Sequence, residues 1–338
     1  MDFSLLNAVR NHPQSAYVEQ DVYADYLSDA VLAEELGFIR SWYGEHHFRE
    51  CQWTGSPIQL CTAAAARTER LRVGTAVALL PFHNPIRMAE DVAICDIISG
   101  GRFDFGIGTG SQYEEFRSFG IDPTTMNGRM WESIDWILRA FEEKDEFSHA
   151  GRYYDIPDMT FTTKPVQDPV PVWASAMGPK NADRAAERGF NLIAPIAFGF
   201  DAALEAAGRN PQDHKVASMQ VIHVADSTDR AWDEAGPGIE YFVNFYHLRR
   251  NLDGSSQGNE PITQEMLRSG NAGFWHASVG TPDHVIASLA PIVQGVTGRI
   301  TEVACGFRHP GMRNEVVHPS MRLFAAHVMP ALREIAGS

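Results

Sequence analysis

The sequence predicts an α/β protein built as a single (β/α)8 barrel of the TIM type. Short apolar runs alternate with longer segments of helical periodicity, and this alternation is typical of parallel β/α units. Several polar clusters come directly after apolar runs, where the catalytic loops of such barrels begin. No change of composition divides the 338 residues, so we predict one domain over the range 1–338.

Eight segments are predicted as strands and six as helices. The first helix has Val22 and Tyr26 on one stripe and ends at Gly37. The third begins with Asn84 as a capping residue and Pro85 at the first helical position. The predicted strands are 3–6, 38–43, 71–80, 102–107, 170–174, 191–196, 216–224 and 302–307, and the predicted helices are 21–36, 57–68, 85–98, 128–143, 180–188 and 320–335.

A polar stretch near the C-terminal third interrupts this pattern. Residues 251–259 (NLDGSSQGN) are too hydrophilic for the core and contain two glycines. We predict a mobile loop there, which could close over a binding site as a lid. It lies within an inserted region that we expect to span roughly residues 236–275.

Composition excludes several classes of function. The chain has 28 basic and 43 acidic residues, a net charge of -15, which argues against binding to nucleic acid or to anionic lipid. The N-terminus does not resemble a signal peptide, and no apolar run approaches the roughly 20 residues that span a bilayer. The four cysteines have no C-x-x-C spacing, so we expect reduced thiols in a soluble, cytoplasmic protein.

The sequence EHHF, residues 45–48, follows the second predicted strand. Its two histidines invite a metal site, but neighbouring residues of an extended chain point to opposite faces. His46 and His47 therefore do not readily share a zinc ion, and the H-E-x-x-H spacing is absent, so no metal site is predicted. One histidine could be an ordinary core residue, but the position at a strand end favours a catalytic role for one of the two.

Two further strand ends carry glycines. The run GIGTG, residues 106–110, lacks the dinucleotide pattern G-x-G-x-x-G, and Glu114 and Glu115 after it would oppose a pyrophosphate. A tight turn that a ligand can approach closely is the more favoured interpretation. The segment 173–189 leaves a strand and enters a helix through Gly178 and Lys180. That helix start is either a phosphate site or an ordinary cap formed by Asn181.

Taken together, several motifs resemble the bacterial luciferase-like flavin-dependent monooxygenases, and the luciferase α-type chains more than the deazaflavin-dependent branch. The resemblance follows the same order along the chain, from the first strand to the C-terminal helix. It is carried by WYGEHHF at 42–48, by the long run VGTAVALLPFHNPIRMAEDVAICDIISGGRFDFGIGTG at 73–110, by FRSFG at 116–120, by PVWASA and AAERG within 171–189, and by GTPD, ACGF and HVMP within 280–330.

The resemblance implies a set of site residues. His46 matches the active-site histidine, which is expected near the flavin as a general base or hydrogen-bond donor. Glu45 would orient this histidine or shape its pocket, and His47 is expected to be structural. The Ala76–Val77 bond matches the position of a non-proline cis peptide beneath the flavin ring. The other implied cofactor-binding residues are Gly108, Thr109, Arg129, Met177, Gly178, Lys180 and Asn181.

Two residues depart from the luciferase pattern. Thr109 stands where those chains have a phosphate-binding arginine, so the affinity for FMN is expected to depend on Arg129 and Lys180 instead. Gly108 stands where they have a cysteine facing the flavin, and should leave space near its reactive carbon. The aromatic residues Trp53, Phe82, Tyr113, Phe198 and Trp275 could line an apolar pocket or simply pack in the core.

The resemblance implies a two-component monooxygenase. Reduced FMN from a separate NAD(P)H:flavin reductase would react with O2 to a C4a-peroxyflavin that oxygenates a small organic substrate, with aldehyde or ketone carbonyls favoured. A homodimer, or a dimer with a paralogous subunit, is expected. The alternatives are a deazaflavin (F420)-dependent oxidoreductase, which EHHF disfavours, and a luciferase β-like partner subunit without activity, which Thr109 favours and EHHF disfavours. A flavin-binding protein without turnover is a further alternative.

Overall fold

A closed barrel of eight parallel strands forms the centre of the molecule. The computed structural model describes residues 1–51 and 54–337. Each strand pairs with the next in sequence, and the last pairs with the first. The strands are β1 (Asp2–Asn7), β2 (Arg40–Tyr43), β3 (Arg72–Thr75), β4 (Phe103–Gly108), β5 (Val172–Ser175), β6 (Asn191–Ala194), β7 (Val216–Val224) and β8 (Glu302–Gly306). The predicted (β/α)8 fold is confirmed.

Helices surround the barrel and connect successive strands. In chain order the described helices are α1 (Glu19–Glu35), α2 (Pro57–Ala65), α3 (Pro85–Ser99), α4 (Tyr113–Phe119), α5 (Met126–Glu142), α6 (Pro179–Arg188), α7 (Phe200–Ala206), α8 (Thr228–His247), α9 (Gln264–Arg268), α10 (Pro282–Val293), α11 (Asn314–Leu323) and α12 (Met329–Gly337). Asn84 caps α3 as predicted, since its side chain accepts hydrogen bonds from the N–H groups of Ile86 and Arg87.

The structure departs from the predicted elements in several places. The predicted strand 71–80 is divided into β3 and a short strand at Ala78–Leu79 by a cis peptide bond between Ala76 and Val77. An antiparallel hairpin, Phe147–Ala150 with Asp155–Met159, follows α5 and was not predicted. The region predicted as an insertion, 236–275, contains the second half of α8, an irregular segment and α9.

The lower half of the barrel interior is filled by a buried ion network. Arg40 at the start of β2 donates from Nε to Asp104 at 2.8 Å and pairs through Nη1 with Glu302. The indole N–H groups of Trp42 and Trp173 donate to Glu302 and Asp104 at 2.9 and 3.2 Å. Burial alone would raise the pKa of Asp104, but the charges of Arg40 and Arg72 lower it. Each buried charge is therefore compensated.

Above this network an apolar layer closes the interior. Trp42 and Trp173 meet edge to face with ring centroids 5.2 Å apart, and Ile193, Ala217 and Ala304 pack around them. Partly buried Leu6, Ala76, Val77 and Met219 lie against this layer. Because the interior is filled by side chains, space for a ligand remains at the mouth formed by the C-terminal strand ends.

The four cysteines are buried and form no disulfide bond with one another, in agreement with the predicted reduced thiols. Within the two described ranges, the structure contains no helix that combines the length and the apolarity of a membrane span.

Candidate active site

His46 lies at the barrel mouth between two hydrogen-bonding partners. β2 ends at Tyr43, and the imidazole three residues later is 7% exposed. Its Nδ1 lies 2.7 Å from Oε1 of Glu115 in α4, and its Nε2 lies 3.2 Å from the hydroxyl of Tyr246 in α8. Three separate elements of the barrel therefore fix the orientation of one histidine.

The partners of His46 determine which nitrogen carries the proton. Oε1 of Glu115 also accepts the backbone N–H of His47 at 2.9 Å, which fixes the carboxylate from a second direction. Burial raises the pKa of Tyr246, so its hydroxyl keeps its proton and can donate to Nε2. In the neutral form of the ring, this arrangement places the proton on Nδ1, which donates it to Glu115. Nε2 is then a proton acceptor at the barrel mouth, and this is the arrangement of a histidine general base.

The side of His46 that faces α8 is aromatic. The rings of Phe245 and Tyr246 lie 5.4 and 5.7 Å from the imidazole, and Tyr246 stacks on Trp275 at 6.1 Å. Phe242 also lies in α8, and the guanidinium of Arg10 lies 4.0 Å from the centre of its ring. This wall limits the access of water to Nε2 and offers an apolar surface to an organic substrate.

Glu45 faces away from His46. Its Oε1 accepts hydrogen bonds from Nε2 of both His47 and His83 at 2.7 Å, and its Oε2 accepts the N–H of Leu79 at 2.9 Å. Burial alone would raise the pKa of Glu45, but these hydrogen bonds and the nearby charge of His83 lower it to about 2. The residue that orients His46 is Glu115 rather than Glu45, because adjacent side chains of the extended segment point in opposite directions.

The predicted flavin-ring residues meet at the ends of β3 and β4. The Ala76–Val77 peptide bond is cis, as the resemblance implied. The side chain of Val77 occupies the space that a Cβ at Gly108 would need, so only glycine permits this contact. Gly108 was expected to leave space near the flavin. The space that its missing side chain leaves is instead filled by Val77. The hydroxyl of Thr109 donates to the carbonyl of Gly110 at 3.2 Å.

The predicted phosphate residues lie at the N-terminus of α6. No side chain caps this helix, so the first backbone N–H groups, on Lys180 and Asn181, are not taken up by a cap. The sequence left open whether Asn181 serves as a cap; it is the third helical residue, and Gly178 occupies the capping position. Met177 and Lys180 are exposed beside this terminus. An uncapped helix start beside a lysine fits the phosphate group of FMN.

Arg129 lies one helix away from this terminus. It is half-buried in α5, donates from Nε to Thr125 at 3.2 Å and faces the ring of Tyr153 at 5.5 Å. Two hydrogen bonds from Arg188 to Asp135, of 3.0 and 3.1 Å, join α6 to α5. The two helices that carry the predicted phosphate residues are thus packed together.

The predicted aromatic residues separate into different surroundings. Trp275 stacks on Tyr246 and so lies on the same side of the mouth as His46. Phe82 instead packs against Phe116 and Phe119, with ring centroids 4.9 and 4.8 Å apart. Phe198 packs against the main core. Trp53 lies outside the described residues. Tyr113 contacts the irregular segment after α8, where a Cβ on Gly254 would come within 2.9 Å of its ring.

This irregular segment, residues 248–263, crosses the start of α4. Arg249 donates to the hydroxyl of Ser111 at 3.4 Å, and Arg250 lies 4.0 Å from Glu114. Both contacts are long, and both arginines are on the surface or only partly buried. The segment is therefore attached weakly to the helix that supplies Glu115.

Sequence comparison identifies the family. The family model described as luciferase-like monooxygenase matches residues 1–297. The alkanal monooxygenase alpha chain of a Kryptophanaron alfredi symbiont is 27% identical, over 94% of this chain and 94% of that relative. The oxygenase component of the flavin-dependent trigonelline monooxygenase of Acinetobacter baylyi is also 27% identical, over 68% of this chain and 66% of that relative.

Solved structures show the same fold. The monooxygenase RslO1 from Streptomyces bottropensis superposes with a TM-score of 0.84 at 26% identity, covering 98% of this chain and 99% of that one. The oxygenating constituent of the 3,6-diketocamphane monooxygenase of Pseudomonas putida, solved with FMN, superposes with a TM-score of 0.79 at 20% identity, covering 98% of both chains.

Proposed function

Because this chain belongs to the luciferase-like monooxygenase family, we propose that it is the oxygenase component of a two-component, FMN-dependent monooxygenase. The observation that carries the proposal is the buried His46, held between Glu115 and Tyr246 at the mouth of the barrel. Bound reduced FMN supplies two electrons, so that one atom of O2 enters a small organic substrate and the other leaves as water. An aldehyde or ketone carbonyl is the favoured site of attack.

The cofactor is proposed to extend from the ends of β3 and β4 to the start of α6. Its ring would rest on Ala76 and Val77, beside Gly108. Its phosphate would accept hydrogen bonds from the uncapped N–H groups at the start of α6. The cations of α5 and α6 and a threonine hydroxyl would complete this site. The residues proposed for the phosphate end are Thr109, Arg129, Met177, Gly178, Lys180 and Asn181.

In the reaction, the protein moves one proton and excludes water. Nε2 of His46 takes a proton from the substrate or returns one to the departing oxygen, and Glu115 stabilises the imidazolium that forms. The aromatic wall of α8 keeps water from this nitrogen. We propose that residues 248–263, within the predicted lid region 236–275, close over the mouth when cofactor and substrate are bound.

Two protein partners follow from the proposal. The trigonelline relative is described as an oxygenase component, which supports a separate NAD(P)H:flavin reductase as the source of reduced FMN. A second subunit, either identical or paralogous, would cover the apolar residues Ile94, Ile97 and Ile98, which α3 exposes to solvent. The reduced state of the buried cysteines fits a cytoplasmic location.

Oxygen incorporation tests the proposal directly. The protein is mixed with a flavin reductase, NADH, FMN and a panel of aldehydes and ketones under isotopically labelled O2. We expect one labelled atom per molecule of product and no product when deazaflavin replaces FMN. Hydride transfer with reduced deazaflavin and no use of oxygen would favour the deazaflavin alternative. Activity only after addition of a paralogous chain would favour a partner subunit.

Removal of the Lys180 charge tests the proposed phosphate site. We expect Lys180→Ala to weaken the binding of FMN about 5-fold, since one exposed cation near a phosphate contributes about 1 kcal/mol. Riboflavin, which has no phosphate, should bind both proteins equally in fluorescence titrations. Lys215→Ala, at the opposite end of the barrel, is the matched control and should change neither affinity. Equal weakening for FMN and riboflavin would contradict the assignment.

A further inference from the structure

We propose that Glu45, His47 and His83 form a binding site for a zinc-type divalent metal ion. One ligand atom from each residue lies within 4.8 Å of the other two. The site is separate from the face of His46 that meets Glu115 and Tyr246. It does not depend on the proposed flavin chemistry.

The chain geometry explains why these three residues meet. Neighbours in an extended segment point to opposite faces, which separates His46 from His47, but residues two apart share a face. Glu45 and His47 therefore point to the same side. His83, in the loop between the short strand Ala78–Leu79 and α3, reaches the same carboxylate from a second element. Only the adjacent pair of histidines stands out in the local sequence, so no metal site was predicted.

The spacing of the three ligand atoms suits a small tetrahedral ion. Nε2 of each histidine lies 2.7 Å from the same oxygen, Oε1 of Glu45. A tetrahedral zinc ion with bonds of about 2.0–2.1 Å holds its ligand atoms about 3.3 Å apart. Each histidine would thus have to withdraw from the oxygen by about 0.6 Å, which a small rotation of a side chain supplies. When the ion binds, each Nε2 gives up the proton that points at the carboxylate: a neutral ring takes a proton on Nδ1 instead, and a doubly protonated ring releases its Nε2 proton to water.

The donor set selects the class of metal. Two imidazole nitrogens and one carboxylate oxygen are the protein ligands of many catalytic zinc sites, whereas calcium and magnesium prefer oxygen ligands alone. Surrounding groups fix two of the ligands. The N–H of Leu79 holds the other oxygen of Glu45, and the ring of His47 packs so closely on Gly55 that a Cβ there would come within 2.7 Å of Nδ1. Such support orients ligands toward a metal.

A cavity provides access to the cluster. Its volume is about 310 Å³, it lies between α2 and α3 on the flank of the barrel, and both Glu45 and His83 line it. Asp91 lines the same cavity and adds negative charge near His83. A water molecule from this cavity can occupy the fourth coordination position.

Titration with metal alone tests the site. Full-length protein without an affinity tag is treated with a chelator and titrated with Zn²⁺ by calorimetry near neutral pH. We expect one Zn²⁺ per chain, and binding on the order of 100-fold weaker in His83→Gln. The matched control is His149→Gln, which removes a similarly exposed histidine that pairs with one glutamate, Glu132, outside the cavity. This variant should bind Zn²⁺ like the wild type.

A second measurement needs no variant. Co²⁺ bound to the wild-type protein should show the intense visible absorption of a tetrahedral site with nitrogen ligands, and Zn²⁺ should abolish this absorption at one equivalent. Absence of saturable Zn²⁺ binding would overturn the proposal, as would weak octahedral Co²⁺ absorption. Binding that is unchanged in a folded His83→Gln protein would also overturn it. The cluster would then be a hydrogen-bond network only.

Discussion

Replacement of His46 with alanine should lower the turnover number by about 10²–10⁴-fold, the usual contribution of a positioned general base. In the proposed mechanism the imidazole, held between Glu115 and Tyr246, accepts the proton through Nε2, and alanine offers no group in its place. The affinity for FMN should change little, because the proposed phosphate site lies at the start of α6. Turnover is measured as labelled oxygen in the product, and affinity by fluorescence.

Glu115 provides a companion test, because it acts on the reaction through His46. In Glu115→Gln, the neutral amide no longer stabilises an imidazolium, so we expect the turnover number to fall at least about 10²-fold with KM nearly unchanged. Glu115→Asp should recover part of the activity. His149→Gln, which breaks another histidine–glutamate pair, is the control and should retain full turnover. Activity of His46→Ala within a few-fold of wild type would exclude the proposed role.

Replacement of Arg40 with leucine should lower the free energy of unfolding by about 3–5 kcal/mol. The guanidinium is buried between Asp104 and Glu302, and its removal leaves two carboxylates inside the barrel with one fewer positive charge. Arg72, the other cation on Asp104, is partly exposed and does not reach Glu302 in the structure. The measurement is urea unfolding followed by circular dichroism.

Arg230→Leu is the matched control for this experiment. Arg230 also contacts two carboxylates, Asp226 at 2.9 Å and Glu234 at 2.7 Å, on α8 and the turn before it, but Arg230 and Asp226 are exposed and Glu234 is partly exposed. Water and salt screen such pairs, so the free energy of unfolding should stay close to that of wild type. Equal stability of Arg40→Leu and Arg230→Leu would show that the buried network does not hold the barrel together.

The barrel could be predicted because its local signals agree with its topology. β7, the longest strand, was predicted with the bounds found. The helix α8 was not predicted, because residues 236–275 were assigned to an inserted region and Gly236, Pro237 and Gly238 are residue types that disfavour a helix interior. They lie inside the helix instead. A Cβ on Gly238 would come within 2.8 Å of His309, so close packing against the loop after β8 explains this glycine, and no local pattern reveals that contact.

The candidate site could be predicted only in part. The strand-end position predicts a catalytic role for one histidine of EHHF, and the resemblance assigns it to His46, but its partner Glu115 lies 69 residues away. From sequence, Glu115 was interpreted only as a charge opposed to phosphate. The hydroxyl of Tyr246 comes from a helix that was not recognised, and the contact of His83 with Glu45 depends on how two loops pack. These contacts are tertiary, so no spacing along the chain indicates them.

Rapid mixing of the protein with reduced FMN and oxygenated buffer tests the central claim most directly. The protein should bind the reduced cofactor at the barrel mouth, exclude water and delay the return of oxidised FMN, so that reoxidation takes place in two kinetic phases. In His46→Ala the slow phase should become shorter and hydrogen peroxide should appear earlier. If saturating wild-type protein leaves the reoxidation of FMN unchanged, the monooxygenase proposal is contradicted.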